Sequence, residues 1–484
     1  MNAAKITKKT HFLFILSRNL FFLSLHLIRR SDRLELEKVN LWFKKGLVMV
    51  VTIFVISNVI VSSPTQVSAI PDLDTNSSVL VDASSGKILY QKNIDELLKV
   101  ASMSKMMSEY LILEAINNGT ITWEQSVPIS NLVQQISHNN SLSNVYLRQD
   151  ETYTVKELYE SVAIYSANGA TMALAELIAG SEESFVTMMN DKAMELGLGE
   201  YGVDYKFVNS TGLPNHYLLG QHPEGTTEND ENELTVRATA KLAFYLLNDY
   251  PEVLETASIE RMIFKEGTAD FIQMDNWNWM LPGLVYGYPD VDGLKTGFTS
   301  QAGYSFTGTA ERDNIRLITV VTKTSSPEER FNETKKLLDY GFSQFSVEEI
   351  LPQGYKGEGY ETFEVAGGKE REVAVSTKES LTIFILKGEK GNYSPVFTLN
   401  PDRLNERGEL IAPIEKGEVI GTISLEYTGE NQYEFIAGNA FKQVEVITDE
   451  AVEKAGFFSR GIRSTGDFFL DLWRTVFDIV KGWF

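Results

Sequence analysis

Two residues with the chemistry of a nucleophile and a base stand three positions apart near residue 100. In the stretch VASMSKMMSEY (residues 100–110), Ser102 is followed by Lys105 at the start of an apolar helical pattern. A serine hydroxyl is a weak nucleophile that needs an adjacent base. A lysine serves as that base only when burial or a neighbouring cation lowers its pKa. The alternative for this stretch is a helix N-cap serine beside a solvated lysine.

Two later stretches contain the other groups that such a nucleophile needs, a second cation and a proton shuttle. IYSANGA holds Ser166 and Asn168 at an interruption between two helical patterns, and VDGLKTGFTSQAGYSF holds Lys295, Thr296 and Gly297 at the start of a predicted β hairpin. Each motif alone is a weak signal, and Lys-Thr-Gly alone is typical of a turn. Ser-x-x-Lys, Ser-x-Asn and Lys-Thr-Gly in this order form the active-site signature of penicillin-interacting serine enzymes.

The elements predicted around these motifs alternate between helices and antiparallel hairpins. SVLVDASSGKILYQKN predicts a hairpin that turns at residues 84–87, and SKMMSEYLILEAINNG predicts a helix that stops at residues 117–119. A capping box at residues 154–157 begins another helix, and AGYSFTGTAERDNIRLITVVTKT predicts two β runs. This mixture favours an α+β domain over a Rossmann sheet. From about Leu351 the chain changes to short β runs with Gly and Pro, which predict a separate small β-sandwich.

Composition excludes several classes of site and partner. With 484 residues the chain has room for two or three domains. It contains no cysteine, which removes thiol nucleophiles, thiolate metal sites and disulfides. Its five histidines form no HExxH pair, so we expect no zinc site, no other metal and no cofactor. Residues 1–69 carry a net charge of +7 and the remainder about −29, which argues against a nucleic-acid partner.

The N-terminal residues 1–69 have the three parts of a secretory signal peptide. Lys44 and Lys45 precede an uncharged apolar run over residues 46–61, and Val67-Ser68-Ala69 predicts cleavage after Ala69. The alternative is an uncleaved transmembrane anchor. The basic residues 1–43 upstream are either part of a long leader or the product of a start assigned too early.

The last segment of the chain, GDFFLDLWRTVFDIVKGWF, has an apolar helical stripe opposite a charged one. Its apolar side carries large aromatic residues, and its polar side is too charged for the helix to span a bilayer. This pattern predicts a helix that lies in the membrane interface. The alternative is a helix that docks on its own protein.

With these motifs the chain resembles the D-alanyl-D-alanine carboxypeptidases, the low-molecular-mass penicillin-binding proteins. The likeness runs from about Ser78 to Ile447 and is carried by VDASSGKIL, ASMSKMM, LAELIAGSEESFVTMMNDKAMELGL, NSTGL, NWNWML, VDGLKTGFTSQAGYSFTGTA and ETKKLLDYGF. One departure is Val100, where the family usually has proline. The tryptophans of NWNWML indicate packing more than substrate stacking.

The resemblance implies an α+β fold: a penicillin-binding/β-lactamase-like catalytic domain, with an antiparallel sheet and a helical subdomain, then a small all-β sandwich and a C-terminal amphipathic helix. We therefore expect four segments: the leader 1–69, the catalytic domain 70–348, the β-sandwich domain 349–448, and the linker with its membrane-anchor helix 449–484.

The resemblance also implies catalytic roles for five residues. Ser102 would be acylated by the penultimate D-alanine carbonyl of a peptidoglycan stem peptide, and Lys105 would take its proton and later help to activate water. Ser166 would relay a proton to the departing D-alanine, with Asn168 holding the substrate amide. Lys295 would keep Lys105 neutral by its charge and polarise Ser166.

Four further residues are implied in substrate binding. Thr296 would bond the terminal carboxylate, and Gly297 would leave room for the substrate to pair along the strand. The backbone N–H groups of Ser102 and Phe298 would form the oxyanion hole. Arg330 stands where the family places an arginine for the substrate carboxylate; the alternative is a surface arginine on a helix.

These roles lead to a definite functional prediction, a serine-type D-Ala-D-Ala carboxypeptidase. It would trim D-alanine from stem peptides that end in D-Ala-D-Ala, be acylated covalently by β-lactams, and work after secretion on the outer face of the cytoplasmic membrane. A β-lactamase of the same superfamily is one alternative, which fast nitrocefin turnover would reveal. Class A enzymes place a glutamate between the second and third motifs, but Glu182 and Glu183 lie there in a helical pattern without the matching loop motif, which argues against this alternative. A non-catalytic wall-binding scaffold is the other, and it would release no D-alanine.

Overall fold

The structure, a computed structural model, describes residues 70–437 and 443–456. The predicted signal peptide with its cleavage site and the predicted C-terminal amphipathic helix lie outside these residues. Within the described part of the chain, no helix is both long and apolar enough to cross a membrane.

A five-stranded antiparallel sheet forms the centre of the first domain. The strands of this part of the chain are β1 (Ser77–Asp82), β2 (Ile88–Lys92), β3 (Leu98–Lys99), β4 (Ser126–Val127), β5 (Tyr153–Thr154), β6 (Tyr205–Lys206), β7 (Glu233–Leu234), β8 (Arg261–Phe264), β9 (Ile272–Asp275), β10 (Val291–Thr299), β11 (Gly303–Arg312) and β12 (Ile315–Thr324). The large sheet has the order β10-β11-β12-β1-β2, so β10 stands at its edge. Lys295 of β10 lies opposite Thr307 of β11.

Helices cover both faces of this sheet. They are α1 (Lys105–Asn117), α2 (Asn131–Ser137), α3 (Val155–Tyr165), α4 (Asn168–Ala179), α5 (Glu182–Glu195), α6 (Val236–Asp249), α7 (Val253–Ala257) and α8 (Glu329–Gln344). Alternate residues of β1 point to opposite faces: Val79 and Val81 join the core under α1 and α6, whereas Leu80 joins the core under α8.

Helix α1 runs through the interior of the helical subdomain. Ten of its thirteen residues are buried, from Lys105 to Ala115. A helix that is covered on all sides holds its side chains in fixed positions, because its neighbours pack against every face. The base predicted at Lys105 therefore begins a rigid, buried element.

The second domain is built of strands. They are β13 (Phe345–Leu351), β14 (Thr362–Ala366), β15 (Glu372–Thr377), β16 (Leu381–Leu386), β17 (Tyr393–Leu399), β18 (Leu410–Ile411), β19 (Val419–Tyr427) and β20 (Val444–Thr448). Strands β13 and β16 form one sheet, and the other six pair in the order β17-β19-β20-β15-β14-β18. Leu381 of the small sheet and Ile423 of the large sheet share one apolar core. The predicted fold class, an α+β domain followed by an all-β domain, is confirmed.

Several local predictions are also confirmed. The first hairpin turns between Asp82 and Ile88, and the helix after Ser102 ends at Asn117. The capping box is present, because Thr154 and Glu157 each bond the other's backbone N–H. The Lys-Thr-Gly motif differs from a turn: it lies inside β10, which begins four residues earlier.

Candidate active site

Ser102 lies in a short 3-10 turn over Ala101–Ser104 that leads into α1. Its side chain caps no backbone group; its Oγ instead lies within hydrogen-bond distance of Lys105 Nζ, at 3.0 Å. Ala101 adopts a positive φ of 48°, a conformation that an alanine rarely takes. The N-cap interpretation of Ser102 is therefore wrong, and the hydroxyl is paired with the amine three residues later.

The Lys105 amine is fully buried and is surrounded by three oxygens. Besides Ser102 Oγ, it contacts Asn168 Oδ1 at 2.7 Å and the Thr211 carbonyl oxygen at 2.7 Å. The last two oxygens can only accept, so they take two N–H bonds. A neutral amine has two N–H bonds and one lone pair, and the lone pair is then left facing Ser102. This arrangement suits an amine that takes the serine proton.

The electrostatics of the site favour that neutral amine. Burial lowers the pKa of Lys105 well below its ordinary value, and the charge of Lys295 lowers it further. The carboxylates of Glu109 and Glu182 act in the opposite direction. Burial holds the pKa of Lys295 at about 8. Near neutral pH, Lys105 is the lysine that gives up its proton, and Lys295 keeps its charge.

Ser166 and Asn168 form an arm between helices α3 and α4, which we call the Ser166–Asn168 arm. Ser166 adopts the left-handed conformation with φ 58° and ψ 35°. Its Oγ is buried and has no hydrogen-bond partner among the described residues. Asn168 begins α4 and bridges two groups, because its Oδ1 accepts from Lys105 and its Nδ2 donates to the Ser143 carbonyl at 3.0 Å.

Strand β10 lies against the turn that carries Ser102. A Cβ atom at Gly297 would stand 2.5 Å from the Val100 carbonyl oxygen, so only glycine permits this approach. The chain itself thus fills the space beside Gly297. Glycine is needed at this position for packing, which the sequence did not indicate. Thr296 is buried next to it, while Phe298 is half exposed and stacks on Tyr304 with ring centroids 4.3 Å apart.

Arg330 is on the first turn of α8 and is 4% exposed. Its guanidinium lies over Phe331 at 4.7 Å and over Tyr304 at 6.0 Å. Its Nε has no hydrogen-bond partner within the described ranges. Burial lowers its pKa to about 10. The alternative of a surface arginine is therefore wrong, and its charge acts on Lys295.

Three groups at the site were missed by sequence reasoning. The carbonyls of Thr211 and Ser143 are backbone acceptors, and no residue type marks them. Glu109 is a buried carboxyl one helical turn after Lys105, and burial raises its pKa to about 7. A glutamate inside an otherwise apolar helical pattern was a signal that could have identified it.

Glu182 has a different position from that of a water-activating base. Its two oxygens accept from the backbone N–H of Ser210 at 2.6 Å and from Ser210 Oγ at 2.9 Å. Ser210 precedes Thr211, whose carbonyl holds Lys105. Glu182 therefore fixes the loop behind Lys105.

Gly212 determines how closely that loop can approach the Ser102 turn. Its φ is +78°, and a Cβ atom there would overlap the Ala101 carbonyl oxygen. We expect Gly212→Ala to lower the free energy of unfolding by about 2 kcal/mol or more, measured by urea denaturation. Gly220→Ala is the matched control, since Gly220 has φ +79° with open space around it. Equal losses in the two variants would show that the overlap has no effect.

Comparisons with known proteins agree on one family. A family model described as D-alanyl-D-alanine carboxypeptidase matches residues 63–326, and one described as penicillin-binding protein 5, C-terminal domain, matches residues 345–454. The D-alanyl-D-alanine carboxypeptidase DacF of Bacillus subtilis is 33% identical over 81% of this chain and 90% of its own length. DacC of Escherichia coli is 31% identical over 81% of this chain and 87% of its own length.

Solved structures show the same likeness across both domains. The peptidoglycan synthesis regulatory factor PBP3 of Streptococcus pneumoniae superposes with a TM-score of 0.68 at 32% identity, covering 79% of this chain and 100% of that one. Penicillin-binding protein 5 of Haemophilus influenzae superposes with a TM-score of 0.59 at 27% identity, covering 80% and 99%.

Proposed function

The chain belongs to the D-alanyl-D-alanine carboxypeptidase family, and from this premise we propose how its own residues perform the reaction. The predicted family, enzyme class and activity are confirmed: the protein is a serine-type D-alanyl-D-alanine carboxypeptidase, a hydrolase. The β-lactamase and scaffold alternatives are not supported by these relatives. The observation that carries the residue-level proposal is the Lys105 amine, buried between two obligate acceptors with its third position on Ser102 Oγ.

In the acylation step, Ser102 Oγ attacks the carbonyl of the penultimate D-alanine while Lys105 takes the hydroxyl proton. The developing oxyanion is bound by the backbone N–H groups of Ser102 and Phe298. As the tetrahedral intermediate collapses, the amine of the terminal D-alanine leaves with a proton delivered through Ser166. The unpaired Oγ of Ser166 supports this role, because no other described group competes for it.

In the deacylation step, water attacks the Ser102 ester and Lys105 again accepts the proton. The acid product leaves, and Ser102 regains its hydroxyl proton. Asn168 holds the substrate amide and orients Lys105 through its Oδ1. A penicillin would follow the same first step, since its strained amide carbonyl offers Ser102 an equivalent target.

The substrate's terminal carboxylate needs cationic and hydroxyl partners at the open edge of the sheet. Strand β10 is an edge strand, so one side of it is available to an extended peptide. We assign Thr296 and Arg330 to the carboxylate, and the half-exposed Phe298 to the wall beside it. The buried guanidinium of Arg330 retains its positive charge, because its lowered pKa of about 10 is still far above neutral.

Peptidoglycan lies outside the cytoplasm, and we propose that this enzyme acts there. The signal-peptide pattern over residues 44–69 supports secretion, and the amphipathic pattern at the C-terminus supports attachment to the outer face of the membrane. The predicted domain boundaries at residues 69 and 448 remain part of this proposal, and we move the one predicted at residue 348 to residue 344, so that β13 stays whole in the second domain.

Two measurements on the wild-type protein test the proposed chemistry. Incubation with diacetyl-Lys-D-Ala-D-Ala should release free D-alanine, and incubation with benzylpenicillin should leave one adduct on the peptide that contains Ser102, located by mass spectrometry. Nitrocefin turnover should be slow because acylation is followed by slow deacylation. An adduct on a different serine would contradict the assignment of Ser102.

A further inference from the structure

The carbonyl of Tyr165 is held by two side chains from different parts of the chain. Tyr165 is the last residue of α3, where a helix leaves carbonyl groups without intrahelical partners. The Ser143 hydroxyl donates to this carbonyl at 2.5 Å, and the Trp277 indole N–H donates to it at 3.1 Å. The same indole N–H also reaches Ser143 Oγ at 3.0 Å. The three groups form a closed hydrogen-bonded set next to Ser166.

Ser143 also holds the other end of the Ser166–Asn168 arm. Its carbonyl oxygen accepts from the Asn168 backbone N–H at 3.0 Å and from Asn168 Nδ2 at 3.0 Å. The arm is therefore bound through Ser143 on both sides of Ser166. This matters because Ser166 has a left-handed backbone, which a serine keeps only when its surroundings impose it.

Trp277 connects this arm with the strand that carries Lys295. Its neighbour Asn278 donates to the Gly293 carbonyl of β10 at 3.2 Å, two residues before Lys295. Asn276 on its other side donates to the carbonyls of Ala257 and Ile259. The Trp277 ring stacks on the Tyr165 ring, with centroids 6.1 Å apart and planes at 26°. Trp277 and its neighbour Asn278 thus connect the arm that supplies Ser166 with the strand that supplies Lys295.

We propose that Trp277 is a positioning residue, which through its indole N–H holds the Ser166–Asn168 arm in place relative to strand β10. The proposal rests on the proposed function, because it concerns the group that relays the proton to the leaving D-alanine. Proton relay needs donor and acceptor within hydrogen-bond reach. A small displacement of the Ser166–Asn168 arm therefore lowers the rate without removing any reacting group.

The test is Trp277→Phe, which keeps an aromatic ring and removes the N–H donor together with part of the ring surface. We expect kcat for D-alanine release to fall by about threefold to tenfold, the loss that one hydrogen bond produces. KM and the melting temperature should change little. Trp123→Phe is the matched control, because the Trp123 ring packs on Tyr159 of α3, the helix that ends at Tyr165. This variant also loses an indole beside α3, and its kcat should stay at the wild-type value.

A second pair of variants tests Ser143, the other donor to the Tyr165 carbonyl. Ser143→Ala removes the other donor and should cause a similar loss of kcat, whereas Ser143→Thr keeps a hydroxyl and should restore most of it. The losses of Trp277→Phe and Ser143→Ala should not be additive, because both donors serve one carbonyl.

The outcomes separate this inference from the proposed function. If the wild type releases no D-alanine and forms no penicillin adduct, the proposed function fails. If the wild type is active and Trp277→Phe has the same kcat, or if Trp123→Phe falls equally, the positioning role of Trp277 is overturned.

Discussion

Replacing Lys105 with arginine is expected to lower the rate of acylation by benzylpenicillin by about four orders of magnitude, the upper range for loss of a general base. Arginine keeps its positive charge near neutral pH and then has no lone pair to accept a proton. In the native site, the Asn168 and Thr211 oxygens take both N–H bonds of a neutral amine. An arginine there keeps a cation with N–H donors and loses the base, so the loss in a folded variant reports on the proton transfer.

The measurement is the rate of appearance of the covalent adduct, followed by intact-protein mass spectrometry. Lys335→Arg is the matched control, because Lys335 is an exposed lysine that pairs with Asp339 on α8, and its variant should acylate at the wild-type rate. A circular dichroism spectrum and a melting curve would verify that Lys105→Arg is folded. An adduct rate within a hundredfold of wild type would mean that another group takes the Ser102 proton.

Much of the site could be predicted from the sequence, because three short motifs carry residue types that only this chemistry combines. Ser102 and Lys105 are three residues apart at a helix start, and the structure places their side chains 3.0 Å apart. The apolar helical pattern after Ser102 also agrees with the complete burial of Met106 and Met107. Short sequence motifs therefore identified functional groups that lie close together on one structural element.

The parts that escaped prediction depend on contacts between distant segments. The carbonyl of Thr211 reaches Lys105 across 106 positions, and a backbone carbonyl has no signature in the residue type. Gly297 was expected to make room for substrate, yet its neighbour in space is the chain segment before Ser102. Trp277 was expected only to pack, since nothing in NWNWML shows that its N–H would meet the end of α3.

The burial of several charged groups together explains which lysine is the base. Lys105, Lys295 and Arg330 are all buried, and keeping all three as cations in one buried site would be costly. The guanidinium holds its proton most strongly, and Lys295 has a pKa of about 8. The most deeply desolvated amine, Lys105, is left to release its proton.

Replacing Lys295 with methionine should therefore change the pH dependence of acylation as well as its rate. The charge of Lys295 lowers the pKa of Lys105, while Glu109 and Glu182 raise it and remain in the variant. Without Lys295, the pKa of Lys105 rises, so a smaller fraction of the amine is neutral at a given pH. Since acylation needs the neutral amine, the acid limb of the rate profile should move to higher pH by roughly one to three units.

At pH 7 we expect the acylation rate of Lys295→Met to fall by about a hundredfold, because both the neutral base and the polarisation of Ser166 are diminished. Part of that loss should be recovered as the pH is raised toward 10. Lys295→Arg keeps the positive charge and should leave the acid limb near its wild-type position. If the limb of Lys295→Met stays in place or moves to lower pH, then Lys295 does not control the protonation of Lys105, and its role is confined to contacts with the substrate.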